Sequence, residues 1–148
     1  LPASAAAGPG AAATAASASA PTDNAPADFD HAAFERIAKL IFIRLQAAND
    51  AADVQDLRRF TTPQMFAEVQ LELQQRGSTA QRTDVVRLDA EVLDKAEEDG
   101  QQVVSVRFHG LIREEHEAPA APFDETWHFV RPLDGSREWA IAGIAQNA

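Results

Sequence analysis

From Phe29 onward the apolar residues of this chain recur first with the period of a helix and then with the period of a strand. Phe34, Ile37, Ala38, Ile41, Leu45 and Ala48 mark the first helix. Asp30 is placed to cap its N-terminus, with Phe29 and Phe34 as a hydrophobic staple. Leu40, Phe42 and Ile43 widen the apolar stripe until Glu35, Arg36, Lys39, Arg44 and Gln46 are what remains polar. A helix this apolar is read as the central core helix, or as one whose spare side lines a cavity or meets a membrane or partner. Asn49-Asp50 ends it, and Asp53 caps a short helix running to Phe60. Thr62, as N-cap, and Pro63, in the first helical position, start a third helix. That helix carries Phe66, Val69 and Leu73 on one face and stops at Gly77, followed by a loop from Ser78 to Arg82.

The period then becomes two. Val86, Leu88, Ala90 and Val92 alternate with Arg87, Asp89 and Glu91. Asp99-Gly100 is a hairpin turn, after which Val104, Val106 and Phe108 alternate with Ser105, Arg107 and His109. A loop from Glu114 to Pro122 leads into Phe123–Pro132, where Phe123, Trp127 and Phe129 share one face with Glu125 between them. Both tryptophans of the protein lie in the hairpin that this strand forms with Trp139–Ile144. Pro132-Leu133-Asp134-Gly135 suits a type I turn with Gly135 in the left-handed position. That geometry pairs Pro132 with Ser136, Phe129 with Trp139 and Trp127 with Ile141. A two-residue Asp134-Gly135 turn would instead set Ala140 and Ala142 opposite Phe129 and Trp127, with Trp139 outward. The shared apolar environment of the tryptophans favours the first register.

Helices followed by four hairpin-joined strands define an α+β domain, an antiparallel four-stranded meander with helices packed on one face. No internal repeat is visible. Residues 1–28 are Ala, Ser, Pro and Gly with almost nothing to bury, and they read as a flexible linker ahead of a domain at 29–148. The first residue is Leu1, so we read the chain as a fragment or processed product, with a signal or membrane segment able to precede it.

The 148 residues suffice for one domain with a core. A formal net charge of -10 repels phosphate backbones, which speaks against nucleic acid, and it disfavours electrostatic docking on anionic lipid. With no cysteine there is no disulfide framework or thiolate chemistry. The chain lacks the nucleophile elbow, phosphate loop, dinucleotide fingerprint and HExxH helix, so no cofactor is expected. None of His31, His109, His116 and His128 stands at zinc-ligand spacing. His109 and His128 are candidate neighbours on adjacent strands, where Asp124 or Glu125 would tune an imidazole, but two half-exposed strand histidines are the simpler reading. Asp94, Glu97, Glu98 and Asp99 lack calcium-loop spacing and read as a solvated charge run.

Four motifs then point to a family. They are Phe60-Thr61-Thr62-Pro63-Gln64-Met65-Phe66-Ala67-Glu68, Thr83-Asp84-Val85-Val86, Val106–Glu114, and Pro122–Pro132 with Asp134-Gly135-Ser136. In this order they resemble the Tim44-like domain, the C-terminal domain of subunit 44 of the mitochondrial inner-membrane translocase, which bacterial proteins share. The resemblance covers residues 29–148 and looks most like a bacterial member. Gln64 stands where the family pattern leads us to expect an acid, which weakens capping of that helix. The implied fold is the nuclear-transport-factor-2-like cone, in which helices and a curved sheet enclose an apolar pocket.

The resemblance implies a non-enzymatic, membrane-associated binding or tether domain, linked to protein translocation or inner-membrane assembly. It implies an anchor in a segment outside this chain, a membrane lipid or membrane protein as partner, and a pocket for an acyl chain or apolar peptide. Its expected lining is Phe42, Leu45, Phe66, Val69, Leu73, Phe108, Trp127, Phe129, Trp139 and Ile141. The alternative is a small-molecule isomerase or dehydratase, since the same cone hosts enzymes that use a buried Asp with His or Tyr; this chain has no tyrosine. An acid or histidine projecting into the cavity beside Trp127 separates the two readings.

Overall fold

The computed structural model describes residues 29–77, 81–114 and 117–147; the stretch read as a linker, residues 1–28, lies outside them. Helix α1 (His31–Ala51) starts where the sequence places it: Asp30 accepts a hydrogen bond from Ala33 N at 3.0 Å, and the Phe29 and Phe34 rings meet at 5.9 Å. It buries Phe34, Ala38, Ile41, Phe42, Leu45 and Ala48. The broad stripe is not buried all round, because the helix lies on one side of the sheet only: Leu40 is 68% exposed, and Ile37 and Ile43 are also exposed. Asp50 does not end α1 but clamps the next layer, accepting from Thr83 N, Thr83 Oγ1 and Gln81 Nε2. The helix ends at Ala52 in the left-handed conformation.

Helix α2 (Val54–Arg59) is capped by Asp53 and buries Leu57. Helix α3 (Pro63–Arg76) is capped by Thr62, which accepts from Met65 N at 3.2 Å. Its fully buried residues are Met65 and Val69, with Phe66 and Leu73 on the flanks. Between the two helices the chain touches the sheet. Ile141 donates to Phe60 O at 2.7 Å and accepts from Thr62 N at 3.0 Å, a parallel bridge. The buried Thr61 turns its hydroxyl back to Leu57 O. The Thr-Thr-Pro motif thus closes one helix, opens the next and stitches both to an edge strand.

The sheet contains β1 (Asp84–Glu98), β2 (Gln101–Arg113), β3 (Ala121–Pro132) and β4 (Ala140–Gln146), antiparallel in that order. Asp99 and Gly100 both take positive φ, as the two-residue turn requires. The even alternation expected of β1 is broken twice. Val85 pairs with Ile112 and Arg87 with Leu111, leaving Val86 as an extra, exposed residue. Val85 therefore joins the core in place of Val86. Gly110 is obligatory beside this bulge, because a Cβ there would lie 2.0 Å from the Arg87 carbonyl oxygen. A second bulge at Leu93 turns Lys95 inward opposite Val104, with its ammonium 5.2 Å above the Phe29 ring. Glu35 of α1 accepts from Val92 N at 3.0 Å beside it.

The β3–β4 hairpin corrects the expected register. The turn itself is as expected, with Gly135 N donating to Pro132 O and Gly135 at φ 70°. Pairing does not resume at Ser136, however; Val130 pairs with Ala140 and Phe129 with Ile141. A bulge at Ala142 then sets His128 opposite Gly143 and Trp127 opposite Ile144. The connection stays open because other contacts hold it: Arg131 donates to Arg137 O, and Leu133 N to Gly100 O. Trp139 gains its apolar surroundings from α1, meeting Phe34 edge-on at 4.9 Å.

Candidate functional site

The face of the sheet under α1 is solid at its centre. The Phe42 ring lies 4.8 Å from both Phe108 and Trp127 and 5.5 Å from Phe123. Phe34 meets Phe129 at 5.6 Å. Phe42, Phe108, Phe129 and Ile141 are closed off in this packing, with Phe66 and Leu73 half-buried around it.

At one end, residues of α1, α2 and α3 face β3 and β4 across an open space. A cavity of about 290 Å³ lies there. Its floor is apolar, made of Leu45, Leu57, Met65, Val69, Trp127 and Ile144, and its rim is polar, made of Gln46, Asn49, Glu68, Glu72, Glu125 and Gln146. Of the ten residues expected to line a pocket, Leu45, Val69 and Trp127 reach this one. Trp139 lines a separate shallow groove of about 260 Å³ with Ile37, Leu40, Ile41, Arg44, Phe60 and Glu138.

The rim carries acids that the expected pocket lining does not include. Glu125 shares the inward face of β3 with Phe123 and Trp127, so the pleat aims its carboxylate at the cavity. It accepts from Trp127 Nε1 at 2.9 Å and from Gln146 Nε2 at 2.8 Å. The indole is thereby fixed with its N–H satisfied and its ring forming part of the floor. Glu68 and Glu72 are one turn apart on α3 and reach the rim from the opposite side. The signal for Glu125 was its place in the alternation Phe123, Glu125, Trp127, Phe129: an acid on the apolar face of a strand. Nothing in the helical period alone marks Glu68 and Glu72 as rim residues.

The other face of the sheet is polar. Arg107 holds Asp124 with two hydrogen bonds, Nε to Oδ1 at 3.0 Å and Nη2 to Oδ2 at 2.6 Å. Asn147 Nδ2 adds a third to Oδ1 at 2.7 Å. The Arg107 hydrogen bonds, followed by that of Asn147, hold the Asp124 carboxyl well below the usual carboxylate range. His109 pairs with Asp124 and His128 with Ser105, whose Oγ lies 2.8 Å from Nδ1. The two imidazoles therefore sit at separate rungs of the ladder, and neither lines the cavity. Among the described residues no group of three His, Asp or Glu is close enough to hold a metal ion.

The model of the Tim44-like domain matches residues 15–146. The chain belongs to the Tim44-like domain family. The match begins ahead of Phe29, inside the stretch read as a linker. No curated protein matches the chain. The observed α+β architecture agrees with the nuclear-transport-factor-2-like fold of Tim44-like domains. Membership indicates a membrane-associated, translocation-related domain from a generally non-enzymatic family. Among the described residues no helix is long and apolar enough to cross a membrane.

Proposed function

We propose that this Tim44-like domain is a non-enzymatic binding or tether domain at a membrane, serving protein translocation or inner-membrane assembly. It holds an apolar segment of its ligand, an acyl chain or apolar peptide, in the cavity beside Trp127. The observation that carries this reading is the cavity between α1, α3 and the β3–β4 hairpin, with its floor of Leu45, Val69, Trp127 and Ile144. At about 290 Å³ it stands at the lower end of ligand-site volumes, which run from about 300 to 1,000 Å³. It therefore takes the end of an apolar chain or one or two side chains.

The enzymatic alternative has one observation in its favour: Glu125 projects into the cavity beside Trp127. Isomerase or dehydratase chemistry needs a second proton-transfer group held beside the first, and the other acids of the rim, Glu68 and Glu72, are exposed on α3, on the side opposite Glu125. The binding reading therefore stands first. Its test is titration with short neutral amphiphiles, read through the indole N–H resonance of Trp127, with Trp139→Phe used to assign it. A saturable shift supports the reading; an unmoved resonance at saturating ligand refutes it.

A further inference from the structure

We infer that the chain pairs with a second copy of itself through the outward side of its helical layer, α1 of each copy lying against α3 of the other. The inference goes beyond the binding role of the cavity and does not depend on it.

The outward side of α1 is a row of exposed residues: Arg36, Leu40, Ile43 and Ala47. Steps of four, three and four keep them on one line of the helix, the spacing of a seam between paired helices. Leu40 and Ile43 are 68% and 48% exposed. Arg36 and Lys39 beside them form no ion pair among the described residues. No exposed residue of α1 is acidic, although the chain as a whole has a formal net charge of -10. Glu35, half-buried, is turned to β1, where it holds Val92 N. The outward side of α3 has the same spacing and the opposite charge. Gln64, Glu68, Leu71 and Gln75 form its row, with Leu71 54% exposed. Glu68 and Glu72 flank that leucine, also without an ion pair among the described residues. No exposed residue of α3 is basic.

Charge decides which faces meet. Two α1 faces together would set Arg36 and Lys39 against their own copies, and two α3 faces would do the same with Glu68 and Glu72. An α1 face against an α3 face joins opposite charges around an apolar contact. With the helices antiparallel and Leu40 on Leu71, Lys39 comes level with Glu72 and Ile43 with Glu68, while Arg36 stands one turn from Glu72. The complement of each face is thus present in the chain itself, which makes a second copy the partner. Both helices bury their inner sides in the same core, so their outward sides belong to one layer, and a two-fold axis lets the contact occur twice.

Sedimentation equilibrium of the whole chain at low salt tests this. A concentration-dependent monomer–dimer equilibrium is expected, weakening as salt rises. The double variants Arg36→Glu, Lys39→Glu and Glu68→Lys, Glu72→Lys should each self-associate about tenfold or more weakly. Mixing the two should restore pairing, because the acidic α1 of one variant meets the basic α3 of the other, and its acidic α3 meets the other's basic α1. Leu40→Gln, at the most exposed position of the row, should weaken the dimer without any change of charge and serves if a reversal variant fails to fold. A wild type that stays monomeric up to millimolar concentration overturns the pairing. So does a dimer that neither reversal weakens, or a mixture that recovers nothing. Flotation of a monomeric wild type with phosphatidylglycerol vesicles, lost in Arg36→Glu, Lys39→Glu, would give the α1 face to a lipid surface and overturn the pairing as well.

Discussion

The indole of Trp127 lies against the Phe42 ring, centroids 4.8 Å apart and planes 30° from parallel. This contact joins α1 to the middle of β3, and the cavity begins immediately beside it. Trp127 is 1% exposed, so its truncation removes both packing and the acceptor-bound N–H. Trp127→Ala is expected to cost about 3–5 kcal/mol. Trp127→Phe should cost distinctly less. Urea denaturation followed by circular dichroism measures both, and a loss near zero for the alanine variant would contradict the burial.

Gly110 has φ 156° and no room for a side chain against the Arg87 carbonyl. Gly110→Ala should destabilise by roughly 2 kcal/mol or more, through backbone strain and opening of the bulge. Gly77→Ala provides the contrast: Gly77 also has positive φ, but a Cβ there meets nothing within 4 Å. The Gly77 variant should lose less. Equal losses would mean that the approach to Arg87 is not what demands glycine at 110.

The stitch between Phe60–Thr62 and β4 gives two separable effects. Thr62→Ala removes a helix cap and should cost about 1 kcal/mol. Thr61→Val keeps the shape but leaves Leu57 O without its buried donor, again costing about 1 kcal/mol or more. Hydrogen exchange should place the first loss in the opening turn of α3 and the second around Ile141. The same exchange pattern in both variants would contradict this division.

Asp124 supplies a pH dependence. Its carboxyl is depressed by the Arg107 hydrogen bonds and then by Asn147, so its contribution is fully present above the unfolded aspartate value of about 4 and is lost as pH falls toward the lower folded value. Both partners are partly exposed, so the effect is modest. Asp124→Asn should be less stable than the wild type at neutral pH, and the gap should narrow as pH drops below about 4. A gap that stays constant from neutral pH to pH 3 would show that Asp124 titrates normally.

Local chemistry made much of this fold legible. Asp30, Asp53 and Thr62 are caps because their side chains can reach a backbone N–H three residues on, and Asp99-Gly100 is a turn because both residues tolerate positive φ. The bulges at Val86, Leu93 and Ala142 left no such local mark. Val86 is as apolar as Val85, and what decides between them is which one packs beneath α1. Trp139 illustrates the same limit. Its turn was readable, yet its partner is Phe34, more than a hundred residues away along the chain. The site shared this division. Trp127 and Val69 are marked by size and period, whereas the cavity draws its lining from α1, α2, α3, β3 and β4 together, which no local pattern encodes.

The bulges and the stitch together determine how a partner can approach. Ile141 on β4 has already spent its outward N–H and C=O on Phe60 and Thr62. At the opposite rim, β1 is kinked at Val86 and Leu93 and lined with Arg87, Asp89, Glu91 and Asp94. The regular run left between the two β1 bulges is Arg87 to Val92, and Val92 N at its end is already held by Glu35. A strand added at either rim would meet these interruptions, which disfavour lengthening of the sheet there.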